Sequence, residues 1–304
     1  MQTNQRYDKY LFIIFLCNLM TWTYVSCSYG QTDTAAEDTS YWEKKISLGI
    51  NFNQGSFSSN WKAGGTNSLA IGTVFTGKAN YKKGKWSWAN DAELLYGLVW
   101  TDGIGQRKNA DRIFLNTVAG YQIANRWDMF LSGNFLSQFA PGFDYGKANQ
   151  PRISNFFAPA FLTFAIGFDY KPKPWFSLKM SPFSPRFTFV SDNDILPTSS
   201  DGKRYGVEAD KTVRSEIAAA QIQADINAKL AENISLKSRY LLFTNYQQFD
   251  PDHRLDVLLE MAVNKYIKVN FGATALYDTD QDTAIQWNQI LNVGFLYTVE
   301  RPAK

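Results

Sequence analysis

Residues 127–135 read Trp127-Asp128-Met129-Phe130-Leu131-Ser132-Gly133-Asn134-Phe135, and this stretch decides the fold. Trp127, Met129, Leu131, Gly133 and Phe135 share one parity. Successive side chains of a strand point to opposite faces, so the pattern predicts a strand with one apolar face. The alternation returns in Leu162, Phe164, Ile166, Phe168 and Tyr170. Toward the N-terminus it recurs over 113–121, 86–98, 69–79 and 46–52. Toward the C-terminus it recurs over 176–180, 220–228, 234–242, 255–263, 267–275 and 287–299. After Pro182 and Pro185 the apolar face of 176–180 shifts to Phe187 and Phe189, which predicts a bulge there. Residues 218–230 are rich in helix formers, but strict alternation from Ala218 to Leu230 favours a strand.

The connections alternate in length. One set is short: 82–85, 124–126, 171–174, 231–233 and 264–265. The other is mostly longer: 54–66, 101–111, 140–158, 191–211, 247–253 and 278–285. The pattern predicts an all-β, transmembrane antiparallel barrel of about twelve strands, with short periplasmic turns and longer extracellular loops. Tyr81, Tyr121 and Tyr170 precede short turns, and Trp86, Trp127, Trp175 and Tyr266 follow or close them. Such rings suit the headgroup level of a bilayer, whereas a soluble sandwich gives no reason for them at every turn.

Composition agrees. Aromatics make up 16% of the 304 residues. Mean hydropathy is −0.30, too polar for a helical membrane protein but suited to strands that alternate lipid-facing and lumen-facing residues. No later segment has the eighteen or so apolar residues of a membrane helix. Net charge is +3, which gives no basic stripe for a nucleic-acid partner.

Residues 1–30 read as a signal peptide, with Arg6 and Lys9 ahead of an apolar run over 10–20 and a small-x-small site at Ser28-Tyr29-Gly30. The only cysteines, Cys17 and Cys27, lie within it. A rival reading makes Cys27 a lipidation site, although Tyr24 stands where an aliphatic residue is usual. Residues 31–42 read as a short periplasmic lead-in, 43–300 as the barrel and 301–304 as a tail. The expected location is the outer membrane of a Gram-negative cell. The expected partners are membrane lipid, lipopolysaccharide and, during biogenesis, the barrel assembly machinery, whose last-strand signal Asn292-x-Gly294-x-x-Tyr297-x-Val299 resembles.

Trp61-x-x-Gly64-Gly65-x-Asn67-Ser68 and Asn80-Tyr81-x-Lys83-Gly84-Lys85-Trp86-Ser87-Trp88 resemble the opening of the domain of unknown function 3078. The similarity runs on through Gln138-Phe139-Ala140-Pro141-Gly142, Asp169-Tyr170-Lys171-Pro172 and Tyr205-Gly206-Val207 to Asn264-Lys265-Tyr266. The resemblance implies a Bacteroidetes outer-membrane barrel and carries no activity.

Catalysis is not expected. The one histidine, His253, has no serine placed near it by sequence. Asp278-Thr279-Asp280-Gln281-Asp282 has the alternating acids of a calcium loop but lacks its glycine and terminal glutamate, so no metal and no cofactor is expected. Trp61, Gly64 and Gly65 are candidates for a lid at the mouth, or else for a tight turn. The polar parity assigns Asp91, Glu93, Asn116, Asn134, Lys237 and Asp256 to the lumen. Arg239 and Glu260 are expected to meet there as a cross-strand ion pair, in a register that also sets Leu241 against Leu258. The leading functional expectation is a porin-like passage for small polar solutes or a structural envelope role, with the solute unspecified. The alternatives are a loop-based binding or scaffold component and, third, an outer-membrane hydrolase.

Overall fold

The computed structural model describes residues 40–56, 66–199, 201–264 and 266–301, with the backbone alone at Asn292 and Leu296. The signal peptide, Cys17, Cys27 and the lid candidates Trp61, Gly64 and Gly65 lie outside the described residues. Described elements are β1 (Trp42–Gly55), β2 (Ser68–Lys83), β3 (Trp86–Thr101), β4 (Gly105–Ala124), β5 (Trp127–Ser137), β6 (Gly142–Phe143), β7 (Arg152–Ser154) and β8 (Ala160–Lys173). They continue with β9 (Phe176–Phe183), β10 (Arg186–Phe189), β11 (Val213–Glu216), β12 (Ala219–Ala231), β13 (Ile234–Asn245), β14 (Asp252–Ala262), β15 (Ile267–Asp278) and β16 (Asp282–Arg301).

Twelve strands pair antiparallel in a ring. β1 to β5 follow in order to β8, β8 pairs with β9, β9 with β12, and β12 to β16 lead back to β1. Closure removes free edges, so every ladder is satisfied without disulfides. The outward parity is the one read from the sequence. Ile46, Leu48 and Ile50 each expose 53% of their surface, and Leu131, Leu291 and Phe295 are exposed as well. A soluble fold would bury such residues; an unbroken apolar outer face is that of a transmembrane barrel. Trp86 stacks near Tyr121 and Trp127 near Tyr170, each pair with ring centroids 4.8 Å apart at the short-turn end.

The bulge lies where the prolines predict it. β10 continues β9 past Pro182 and Pro185, which cannot donate ladder bonds. The Ser184 amide donates to the Ala219 carbonyl at 2.7 Å, and the Phe164 amide to the Pro185 carbonyl at 3.0 Å, so bonds bridge the break. Residues 219–231 form a strand, as alternation rather than helix propensity required.

Two expected long loops are tight turns. β4 begins at Gly105 and β16 at Asp282, so only 102–104 and 279–281 connect their hairpins. Polar residues such as Arg107 and Lys108 looked like loop, but the backbone ladder continues wherever a partner strand is present. Gly103 and Gly105, with φ of 76° and 89°, take the positive dihedrals that the first turn demands. At the other ends, Trp42 of the expected lead-in already belongs to β1, and Arg301 of the expected tail to β16.

The small apolar core sits in the long-loop assembly. Ala158, Val190, Ile195 and Val207 are buried together, with Tyr205 packed against them. The β6–β7 pair belongs to the connection between β5 and β8.

Candidate lumenal site

Outward apolar parity forces the alternate residues into the lumen, where charges find cross-strand partners. Lys78 faces Asp91 across β2 and β3 at 3.1 Å. Arg112 of β4 reaches Glu93 of β3 at 3.3 Å. Asn116 and Asn134 are register partners on β4 and β5, and both line the lumen. Lys237 donates to Glu260 at 2.6 Å.

The expected Arg239–Glu260 pair is not formed. β13 and β14 pair with Arg239 opposite Asp256 and Ser235 opposite Glu260, and Leu241 lies against Arg254 rather than Leu258. The true partner position is four residues from the expected one. Sliding a strand by an even step leaves each side chain on its own face, so alternation could not exclude the wrong register. Arg239 instead donates Nε to Asp225 of β12 at 2.7 Å. Asp225 also accepts from Lys179 at 2.8 Å and from the Gln223 amide at 2.6 Å. Asp256 is clasped by Arg254, through Nε at 2.7 Å and Nη2 at 2.9 Å, and accepts from the Thr274 hydroxyl at 2.9 Å.

Asp91, Glu93, Asn116, Asn134, Lys237 and Asp256 each line one of the cavities, together with Arg112, Lys179, Asp225 and Arg254, which the sequence reading did not name. Their signal was available: Arg112 and Arg254 stand two residues before Phe114 and Asp256 on the same inward parity.

The lumen holds a series of cavities. A mouth of about 540 Å3 opens among the short turns, lined by Lys85, Arg126, Asp128, Lys171 and Trp175. Ser87, Lys171 and Ser177 are shared with an inner cavity of about 260 Å3. Asn116, Gln221 and Arg239 connect that cavity to a narrow one of about 130 Å3, lined also by Arg112, Arg186 and Arg254. A further cavity of about 500 Å3 shares Asp225 and Asn227 with the mouth and Arg112, Arg239 and Asp256 with the narrow cavity.

The long-loop end is braced by its own polar network. Arg204, only 4% exposed, donates to the carbonyls of Asp192, Ala209 and Lys211 and to Asn193 Oδ1. Arg152 bonds Asp192 at 2.8 Å, and the Asn155 amide does so at 2.6 Å. Burial acts to raise the Asp192 carboxyl, yet the Asp194 amide, Asn155 and Arg152 outweigh it and hold it below its ordinary value. Burial pushes the Tyr205 phenol up to about 12, and its hydroxyl donates to the Ile153 carbonyl at 2.8 Å. The segment crosses to the β15–β16 turn, where Thr198 donates to the Asp280 carbonyl at 2.8 Å and Arg214 pairs with the Asp280 carboxylate.

The acids of that turn are already engaged. Asp278 accepts from the Asp280 amide and Gln281, and Asp282 accepts from the Ala284 amide. His253 faces outward between Tyr240 and Tyr277, with the Tyr240 hydroxyl 2.8 Å from its Nδ1. Among the described residues no serine or carboxylate completes a hydrolytic group with it.

Residues 52–143 match the family described as Protein of unknown function (DUF3078), a narrower span than the motif resemblance covers. No curated protein matches the chain. Among solved structures, an outer membrane channel from Pseudomonas putida is similar at 9% identity and a TM-score of 0.41, covering 90% of this chain and 100% of that one. The translocator domain of the autotransporter NalP from Neisseria meningitidis is similar at 8% identity and a TM-score of 0.35, covering 95% and 97%. Outer membrane phospholipase A from Escherichia coli is similar at 7% identity and a TM-score of 0.35, covering 87% and 94%.

Proposed function

We propose that this chain is an outer-membrane barrel whose lumen passes small polar solutes. The observation that carries the reading is the series of polar cavities that share walls along the lumen, from the short-turn mouth inward to the narrow cavity at Arg239. Paired charges and amides line them, the surface a hydrated solute needs. The apolar outer face and the aromatic rings at the short turns support the membrane location, with lipid and lipopolysaccharide as surroundings. The signal peptide and last-strand motif support export and assembly machinery recognition.

Purified barrel inserted in a planar bilayer is expected to conduct in small, discrete steps. A folded preparation that leaves the bilayer silent at all voltages would refute a passage. A second reading, a loop-based binding or scaffold role, is favoured by the braced assembly around Arg204, whose buried guanidinium ties residues 192, 193, 209 and 211 together. Capture of an envelope protein that depends on this assembly, from a barrel that does not conduct, would establish it in place of the first.

A further inference from the structure

The narrow cavity is chemically lopsided. Its wall carries Arg112, Arg186, Arg239 and Arg254 but a single carboxylate, Asp256. Both oxygens of Asp256 are engaged, by Arg254 and Thr274. The guanidiniums have donors left over. Arg239 engages only Nε, so among the described residues its two terminal nitrogens meet no acceptor. The Arg112 Nε is buried without a partner, and its Nη1 holds Glu93 only at 3.3 Å. Among the described residues Arg254 Nη1 meets no acceptor, while its other two nitrogens clasp Asp256. Arg112, Arg239 and Arg254 all border this one space. Phe114, Leu136, Leu241 and Phe243 give the wall an apolar part, and Asn116, Asn134, Gln221 and Gln223 give it neutral polar groups.

Formal charge along the lumen is nearly balanced by ion pairs, so a general pull on anions is not the argument. What a solute meets at this level is unengaged guanidinium N–H groups among neutral amides and hydroxyls, with one carboxylate whose two oxygens already accept three hydrogen bonds. A guanidinium presents N–H donors in a planar fork that matches the oxygens of a carboxylate or phosphate. At about 130 Å3 the space is below the roughly 300–1,000 Å3 of ordinary ligand pockets, room for one small oxyanion group rather than a whole sugar. We propose that Arg112, Arg239 and Arg254 form a lumenal site for a small oxyanion, a carboxylate or phosphate group, in the narrow cavity. The inference rests on the proposed passage for its role in transport, but binding can be measured without it.

Two measurements separate the claims. Phosphate and acetate are titrated into folded barrel in detergent at constant ionic strength, with chloride as the reference and binding read by calorimetry. Ion selectivity is read in bilayers from the reversal potential in a potassium chloride gradient. Saturable phosphate or acetate binding is expected, weakened about tenfold or more by Arg112→Gln or Arg239→Gln and unchanged by Lys147→Gln, an exposed loop cation outside the lumen cavities. If the barrel conducts, the same two changes should shift selectivity away from anions. Heat-dependent gel mobility confirms that each variant is folded. Binding without conductance would keep the site and reject the passage. Conductance without saturable oxyanion binding would keep the passage and overturn the site. Binding that survives both arginine changes would equally overturn it.

Discussion

Arg186 offers the sharpest test of how the lumen is held together. It donates Nε to Glu216 at 2.7 Å and Nη1 to Asp252 at 2.6 Å, and lies 3.8 Å from the Phe243 ring centroid. The three charged side chains are 14%, 3% and 13% exposed, so water can do little to replace the lost bonds. Arg186→Met keeps the length and removes the charge. Two charge-assisted hydrogen bonds are worth roughly 1.5–3 kcal/mol each. Glu216 retains Arg214 at 3.2 Å and the Asn245 amide at 3.4 Å, which softens its share. Among the described residues Asp252 has no such second cation, so its carboxylate is left uncompensated. The expected net loss is about 3–5 kcal/mol, in the range for breaking a buried pair by removing one partner. Urea unfolding in detergent, followed by tryptophan fluorescence, measures it. Adding Asp252→Asn should recover about 1–2 kcal/mol, because the uncompensated charge is then gone. A loss below about 1 kcal/mol, or strict additivity in the double variant, would show that this triad is hydrated and does not brace the barrel.

Four further outcomes are expected. Lys237→Ala and Glu260→Ala should couple by about 0.5–1 kcal/mol in a double-mutant cycle, given their 42% and 24% exposure, while Arg239→Ala and Glu260→Ala should add independently; the reverse would mean that the β13–β14 register is wrong. Leu131→Lys on the outward face should destabilise the barrel in bilayers by about 2–4 kcal/mol, and a neutral effect would place that face outside the hydrocarbon. Because the Asp192 carboxyl is held below its ordinary value when folded, its bracing is fully present above about pH 4 and is lost as pH falls through the lower folded value. Exchange protection of the Asp194 amide, which Asp192 accepts, should drop in that window, and protection that stays flat under acid would exclude the carboxylate as the brace. An epitope near Asp201 should be labelled on intact cells, and labelling only after the outer membrane is broken would invert the topology.

Strand faces were legible in the sequence because side-chain parity is local: a residue at Leu131 or Ile166 points to lipid whatever the rest of the chain does. The break at Pro182 and Pro185 was legible for a similar reason, since a missing N–H is a property of the residue itself. The short turns followed from where the alternation stops. Pairing is another matter. Period two leaves register open by even steps, so the partners of Arg239 and Glu260 were decided only when β12, β13 and β14 closed side by side and Asp225 came within 2.7 Å of the guanidinium. The lengths of β4 and β16 were likewise decided by the presence of a partner ladder beyond the apolar belt, which polar residues do not signal. The narrow arginine-lined cavity lies deepest of all in tertiary structure: Arg112, Arg186, Arg239 and Arg254 come from four strands, and only the curvature of a closed ring points them at one space.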